Sequence, residues 1–181
     1  MLSIDREIPG TFRLGEAVLH NTAQTLQREP LRVRTPPEPW AYSVAFEAQR
    51  AAFESTDGND LIVVELDLEV EEGEIGVGPL TEDLQEFIGP ETNVTAATGR
   101  TLARVVISDL DRFFWLMIRN GSVAGRSAVF CVYDVRGYTA REERSADLFE
   151  VPNPELQNLL VSETCASNLI RRNEPFRRCR E

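Results

Sequence analysis

Residues 61–78 read LIVVELDLEVEEGEIGVG, and the fold turns on how this stretch is read. Ile62, Val64, Leu66, Leu68 and Val70 share one parity, and Val63, Glu65, Asp67 and Glu69 share the other. A helix would scatter the carboxylates around its surface. A strand sends successive side chains to opposite faces, so the carboxylates fall on one solvated face and the apolar set turns to a core. The stretch predicts an antiparallel strand in a half-buried sheet.

The glycines that follow fit two templates. The dinucleotide fingerprint GxGxxG needs a strand before it and a helix after it, and the methyltransferase glycine loop also needs a helix behind it. Here the spacing is GxxGxG over residues 73–78, Pro79-Leu80-Thr81 follows, and Glu69, Glu71, Glu72 and Glu74 crowd the place where a phosphate would want backbone N–H groups. Downstream the chain offers further strands rather than alternating helices, which disfavours a parallel α/β sheet. The expectation is a hairpin turn at Glu71-Glu72-Gly73-Glu74. Gly76 and Gly78 then sit in the return strand, allowing a bulge or a close backbone approach. A fragment of an S-adenosylmethionine-dependent methyltransferase, centred on Gly73 to Gly78, is the competing reading.

Outward from this stretch the same period recurs. Residues 30–35, PLRVRT, alternate and are stopped by Pro36-Pro37. Residues 40–46, WAYSVAF, put Trp40, Tyr42, Val44 and Phe46 on one parity. Residues 102–107, 113–119 (FFWLMIR) and 127–135 (SAVFCVYDV) are further strand candidates, the last two joined by an Asn120-Gly121 turn signal and expected to pair. About six to eight strands between turn signals predict an all-β fold, an antiparallel β-sandwich of the jelly-roll, galactose-binding-like kind. Residues 17–27 read as a short helix, and 81–88 as either a helical turn or a strand. The expected organisation is an N-terminal extension over 1–29, the sandwich over 30–137, and a linker with a C-terminal helix over 138–181. Asn153-Pro154 would open that helix, and Leu156, Leu159, Leu160, Leu169 and Ile170 would form its apolar side. Five arginines in the last eleven residues, RRNEPFRRCRE, suit a helix C-terminus.

A chain of 181 residues is long enough for one domain with a proper core plus a short appendage. The net charge of −11 argues against nucleic acid as partner, since that affinity comes from neutralising phosphates, and equally against an anionic membrane surface. All 19 basic residues are arginine. The three cysteines, Cys131, Cys165 and Cys179, form no CxxC pair, which disfavours a zinc site. Cys131 lies in an apolar run as a buried thiol, and a reduced, cytoplasmic setting is expected. MLSIDREIPG lacks the apolar region of a signal peptide, and no run approaches the ~18 apolar residues of a membrane helix. Asn93-Val94-Thr95 and Asn120-Gly121-Ser122 fit the glycosylation pattern and are read as turn chemistry.

His20 is the single histidine, which removes metal clusters built on two or more histidines. A Ser-His-Asp arrangement would need it, with no GxSxG elbow in the chain, and it is read as an ordinary surface residue. Carboxylates are plentiful, but strand alternation places most of them on solvated faces, so no glycosidase pair stands out. No catalytic residue and no cofactor is assigned. Glu91, Asp109 and Asp111 could contribute to a calcium site of the kind lectin-like sandwiches carry, without a recognisable ligand spacing. The remaining signal is aromatic: Trp40, Tyr42, Trp115 and Tyr133 can stack a pyranose ring while Asn, Asp, Glu or Arg side chains fix its hydroxyls. The competing reading is that these rings fill the core.

The order PLRVRTP, WAYSVAF, LIVVELDLEVEEGEIGVG, FFWLMIRNGS and AVFCVYDV resembles the β-sandwich module found beside FkbM-type methyltransferase domains and some glycosyltransferases in bacteria. The match covers roughly residues 30–135, and the catalytic FkbM domain with its DVGANxG-like loop is not part of it. The resemblance implies a carbohydrate-binding-like, non-catalytic module beside a sugar-modifying enzyme, with a glycan or sugar-nucleotide-linked substrate and that enzyme as partners. Trp40, Tyr42, Arg119 and Asn120 are the expected ligand contacts, Arg119 and Asn120 matching the family's RNGS turn. A structural protein-interaction domain with no sugar ligand is the alternative.

Overall fold

The computed structural model describes residues 2–54, 61–122 and 125–142, within a compact unit that runs Met1–Glu143. The expected helix over 154–172 lies outside the described residues. Among the described residues there are eleven strands: β1 (Leu2–Ile8), β2 (Val18–Leu19), β3 (Gln24–Gln27), β4 (Leu31–Arg34), β5 (Tyr42–Glu47), β6 (Leu61–Glu72), β7 (Glu74–Leu80), β8 (Thr92–Thr95), β9 (Arg100–Ile107), β10 (Trp115–Asn120) and β11 (Val129–Glu142). One short helix, α1 (Arg50–Phe53), follows β5.

The strands form two antiparallel sheets. The six-stranded sheet runs β3-β4-β11-β6-β9, with β1 also on β11, and the five-stranded sheet runs β2-β5-β10-β7-β8. This is the all-β sandwich that the two-residue period predicts. Leu66, Leu68, Val33 and Phe130 face inward from the larger sheet, and Val44, Phe46, Val77, Leu116 and Ile118 from the smaller. Burial of these apolar side chains is the main force holding the layers together.

β6 follows its predicted alternation, but its carboxylates are not simply wet. Arg104 donates to Glu65 at 2.7 Å, Arg100 to both oxygens of Asp67 at 2.9 and 2.7 Å, and Arg32 to both oxygens of Glu71 at 2.9 and 2.6 Å. The Tyr133 hydroxyl donates to Glu69 at 3.1 Å, with the Arg100 guanidinium 3.9 Å above the Tyr133 ring. Exposed pairs of this kind contribute about 0–1 kcal/mol each, and as cross-strand partners they also favour one register over its neighbours.

Several expectations need correcting. The turn at residues 71–74 is not a hairpin. β6 and β7 belong to different sheets, so Gly73 (φ 77°) carries the chain from one layer to the other. Asn120-Gly121 likewise leaves a strand of the smaller sheet, and β11 joins the larger, so β10 and β11 are not partners. Glycine serves both kinds of turn, and only long-range pairing distinguishes them.

The first 29 residues are part of the sandwich rather than an extension. β1 pairs with the end of β11, from Leu2↔Glu142 to Ile8↔Gly137. A register shift between Ile4 and Arg6 interrupts its alternation and hides it in the sequence. Residues 17–27 hold β2 and β3, strands of 2 and 4 residues, instead of a helix. The boundary expected at residue 137 moves outward for the same reason, since β11 continues to Glu142.

Candidate functional site

The outer face of the five-stranded sheet gathers most of the aromatic residues singled out above. A bulge places Tyr42 there. Ile118 pairs with Val44, but Arg119 pairs with Tyr42, so Ser43 is the extra residue. Tyr42 therefore packs with Ala45, Met117 and Leu80 on the outside, while Val44 and Phe46 enter the main core. The expectation that Trp40, Tyr42, Val44 and Phe46 share a face fails at this extra residue.

Residues 81–91 cross this outer face as a strap, fastened at its start by an isolated bridge between Leu80 and Phe87. The strap fits because β7 carries no side chains beneath it at two positions. A Cβ on Gly78 would stand 2.8 Å from the Phe87 ring, and one on Gly76 would overlap the Glu91 carboxylate. Gly76 and Gly78 sit in a strand, as expected, but what approaches them is not backbone: it is two side chains of the strap, Phe87 and Glu91. Residues 79–95 after them hold no helix, and both sheets are antiparallel, so the methyltransferase reading is overturned.

Arg119, on β10, is the centre of the site. Its guanidinium lies 4.7 Å from the Trp40 ring centroid and 4.8 Å from that of Phe87. Nε donates to Glu91 Oε1 at 2.5 Å, and a terminal nitrogen donates to Oε2. The two side chains are only 21% and 16% exposed, so this bidentate pair is shielded in a way that the pairs on the other sheet are not. Phe87 also meets Tyr42 edge-on at 6.1 Å, and the Tyr42 hydroxyl donates to Leu84 O at 3.3 Å. Trp115, half-buried on the same face, donates from its indole nitrogen to Glu82 O at 3.2 Å.

Trp40 is 43% exposed and does not fill the core. Its backbone has φ 62°. The other non-glycine residues with positive φ among those described are Asn21 (52°) and Leu84 (61°), and both are bonded to Tyr42. Asparagine adopts this region readily, but tryptophan and leucine hold it only where surrounding contacts impose it, at ~1–3 kcal/mol each. The imposing contacts around Trp40 come from Asn120. Trp40 N–H donates to Asn120 O at 2.9 Å, and Asn120 N–H donates to Ala41 O at 3.0 Å.

The Asn120 side chain is fully buried. Nδ2 reaches Pro36 O at 3.1 Å, Glu38 O at 3.2 Å and Arg126 O at 2.8 Å, while Oδ1 accepts from Ser122 N–H at 3.2 Å. Asn120 thus fixes the loop that presents Trp40 and does not itself face solvent. Of the four expected contacts, Trp40, Tyr42 and Arg119 converge on one face, and Asn120 supports them from within.

Tyr133 lies on the other sheet, paired with Glu69. His20 is not an ordinary surface residue. It is half-buried, its ring stands edge-on to Tyr42 at 6.5 Å, and burial lowers its pKa. The calcium expectation is not supported. Glu91 is bound to Arg119 and Asp109 accepts from Arg112 N–H, and among the described residues no group of three or more His, Cys, Asp or Glu is placed to hold a metal ion. Sequence reasoning missed Phe87, and it took Glu91 for a calcium ligand rather than the partner of Arg119. Their signal was the pair of side-chain-free positions at 76 and 78.

No protein-family model matches the chain, and no curated protein matches it. Among solved structures it is similar to the arabinose-bound α-L-arabinofuranosidase MgGH51, at 14% identity and a TM-score of 0.38. The aligned region covers 70% of this chain and 23% of that one, so the chain spans about a quarter of that enzyme. No described helix is long and apolar enough to cross a membrane.

Proposed function

We propose that this sandwich is a non-catalytic, carbohydrate-binding-like module that accompanies a cytoplasmic enzyme of a bacterial glycan-modifying system, of the FkbM methyltransferase or glycosyltransferase kind. The observation that carries the reading is Trp40: an indole 43% exposed, backed by the Arg119 guanidinium and held in a conformation that its own backbone disfavours. A fixed, partly exposed aromatic plate suits the C–H face of a sugar ring, and it binds at low entropic cost because it is already ordered. Glu91 neutralises Arg119, and the chain carries a net charge of −11, so the preferred ligand is a neutral glycan rather than an acidic one.

A glycan array followed by calorimetry, with and without calcium, tests this. The expected result is binding of neutral glycans, unaffected by calcium and weakened about tenfold in Trp40→Ala. Silence across neutral and acidic glycans would leave the second reading, a protein-interaction domain without a sugar ligand. That reading is favoured by Leu102, 53% exposed on the edge strand β9.

A further inference from the structure

His20 is the one histidine of the chain, and its ring lies where a proton is unwelcome. Nε2 is buried and has no hydrogen-bond partner among the described residues. Ser43 Oγ shares that condition, on the bulge residue whose carbonyl accepts the His20 backbone N–H at 2.9 Å, and the two side chains do not bond to each other. Among titratable groups the ring faces Tyr42 of β5. No carboxylate or guanidinium of β5, of the turn after β2 or of the strap contributes to its titration, and burial alone lowers its pKa. A neutral imidazole tolerates this place. An imidazolium would be a buried charge and donor with no protein acceptor.

Little else holds β2. It has two residues, pairs with β5 on one side only, and leaves Val18 and Leu19 each 41% exposed. An edge strand with so little apolar burial opens at low cost. Tyr42, on the neighbouring strand, is gripped from two sides. From the β2 side come the His20 ring and Asn21, whose Nδ2 donates to Tyr42 O at 2.8 Å. From the strap come Leu84 O and the Phe87 ring, and Phe87 in turn packs on the Arg119 guanidinium that backs Trp40.

We propose that His20 is an acid-sensitive latch on the Trp40 face: proton uptake at Nε2 drives the ring into water, detaches β2 from β5 and removes one of the two grips on Tyr42, so that the strap and Trp40 loosen together. Because the folded-state pKa lies below the ordinary value of 6.5, the latched form is complete above pH 6.5 and is lost as pH falls through the folded-state value. The latch acts on this face whatever ligand sits there, so it stands apart from the glycan reading.

A single histidine makes the test direct. The His20 ring proton resonance, the protection of the His20 amide against hydrogen exchange, and Trp40 emission in a Trp115→Phe background are followed from about pH 8 to about pH 5. The ring should titrate below 6.5. Over the same range amide protection should drop severalfold and Trp40 emission should shift to the red. His20→Phe keeps a ring against Tyr42 and takes up no proton, so protection of the amide at residue 20 and Trp40 emission should stay flat across the range. His20→Gln gives the same test if the phenyl ring is not accommodated. Titration at the ordinary value with unchanged amide protection, an acid response that persists in these variants, or opening of β2 with no change at Trp40 would overturn the proposal.

Discussion

The carboxylate of Glu91 occupies the space that a side chain on residue 76 would fill. Its Cδ lies 3.0 Å from the position of a Cβ there, and Asn93 Oδ1 lies 3.3 Å away. Gly76→Ala should push Glu91 off Arg119 and split the shielded ion pair. Gly78→Ala meets the Phe87 ring at 2.8 Å, and a ring wedged against Tyr42 yields less than a carboxylate does. Both variants should lose ~1–3 kcal/mol in urea titrations, Gly78→Ala the more. Gly15→Ala, with open space around the new methyl and an ordinary φ, should stay within about 0.5 kcal/mol of the parent.

Arg119→Ala strands the Glu91 carboxylate in a mostly buried place, and a loss of ~2–4 kcal/mol is expected. Glu91→Ala/Arg119→Ala together should cost less than the sum of the single variants, because the double change leaves no unpaired charge. Arg119→Lys should recover only part of the loss, since an ammonium neither makes the bidentate pair nor stacks between Trp40 and Phe87. A thermodynamic cycle from denaturation midpoints measures the coupling, and strict additivity would show the pair to be idle.

Asn120→Asp keeps the shape of the side chain but turns an amide donor into a carboxylate facing the carbonyls of Pro36, Glu38 and Arg126. The buried charge has no donor on that side, so the variant should lose at least as much as Asn120→Ala, on the order of 2–4 kcal/mol. Both should release the Trp40 loop, seen as a red shift and quenching of Trp40 fluorescence in a Trp115→Phe background. Unchanged Trp40 emission would remove Asn120 from the support of the site.

The Cys131 thiol has its pKa raised from 9.0 to about 11, first by burial and then by the neighbouring Glu71 carboxylate that accepts its hydrogen bond. A folded-state pKa above the unfolded one favours the protonated native form, so the associated stability is complete below pH 9 and is lost as pH rises towards 11. Denaturation midpoints should fall over that window in the parent and fall less in Cys131→Val. Peptide mapping after iodoacetamide at pH 8 should find Cys131 unmodified until urea unfolds the domain.

How much of this was legible in the sequence depends on the length and neighbours of each strand. β6 could be read from its residues alone, because twelve residues give the alternation room to show. β2 and β3 could not, because two and four residues carry no period, and β1 is interrupted by its bulge. Glycine turns announced that the chain changes direction at residues 73 and 121 but not that it changes layer. At the site, Trp40 and Arg119 stood out as residue types, whereas Tyr42 reached its face only through the extra residue at Ser43. Glu91 entered through a charge pair 28 positions away in sequence, which no local pattern encodes.

The pairing of Leu2 with Glu142 also sets an order for synthesis on the ribosome. Among the described strands β1 pairs with β11 alone, so it has no partner until β11 has left the exit tunnel, and β4 and β6 each wait for that same late strand on one side. β3 with β4 and β6 with β9 can pair earlier, but joining them into one sheet waits for β11. Until it happens, the nascent polypeptide exposes the half-built interior of the sandwich, which is the interval in which a chaperone would be needed.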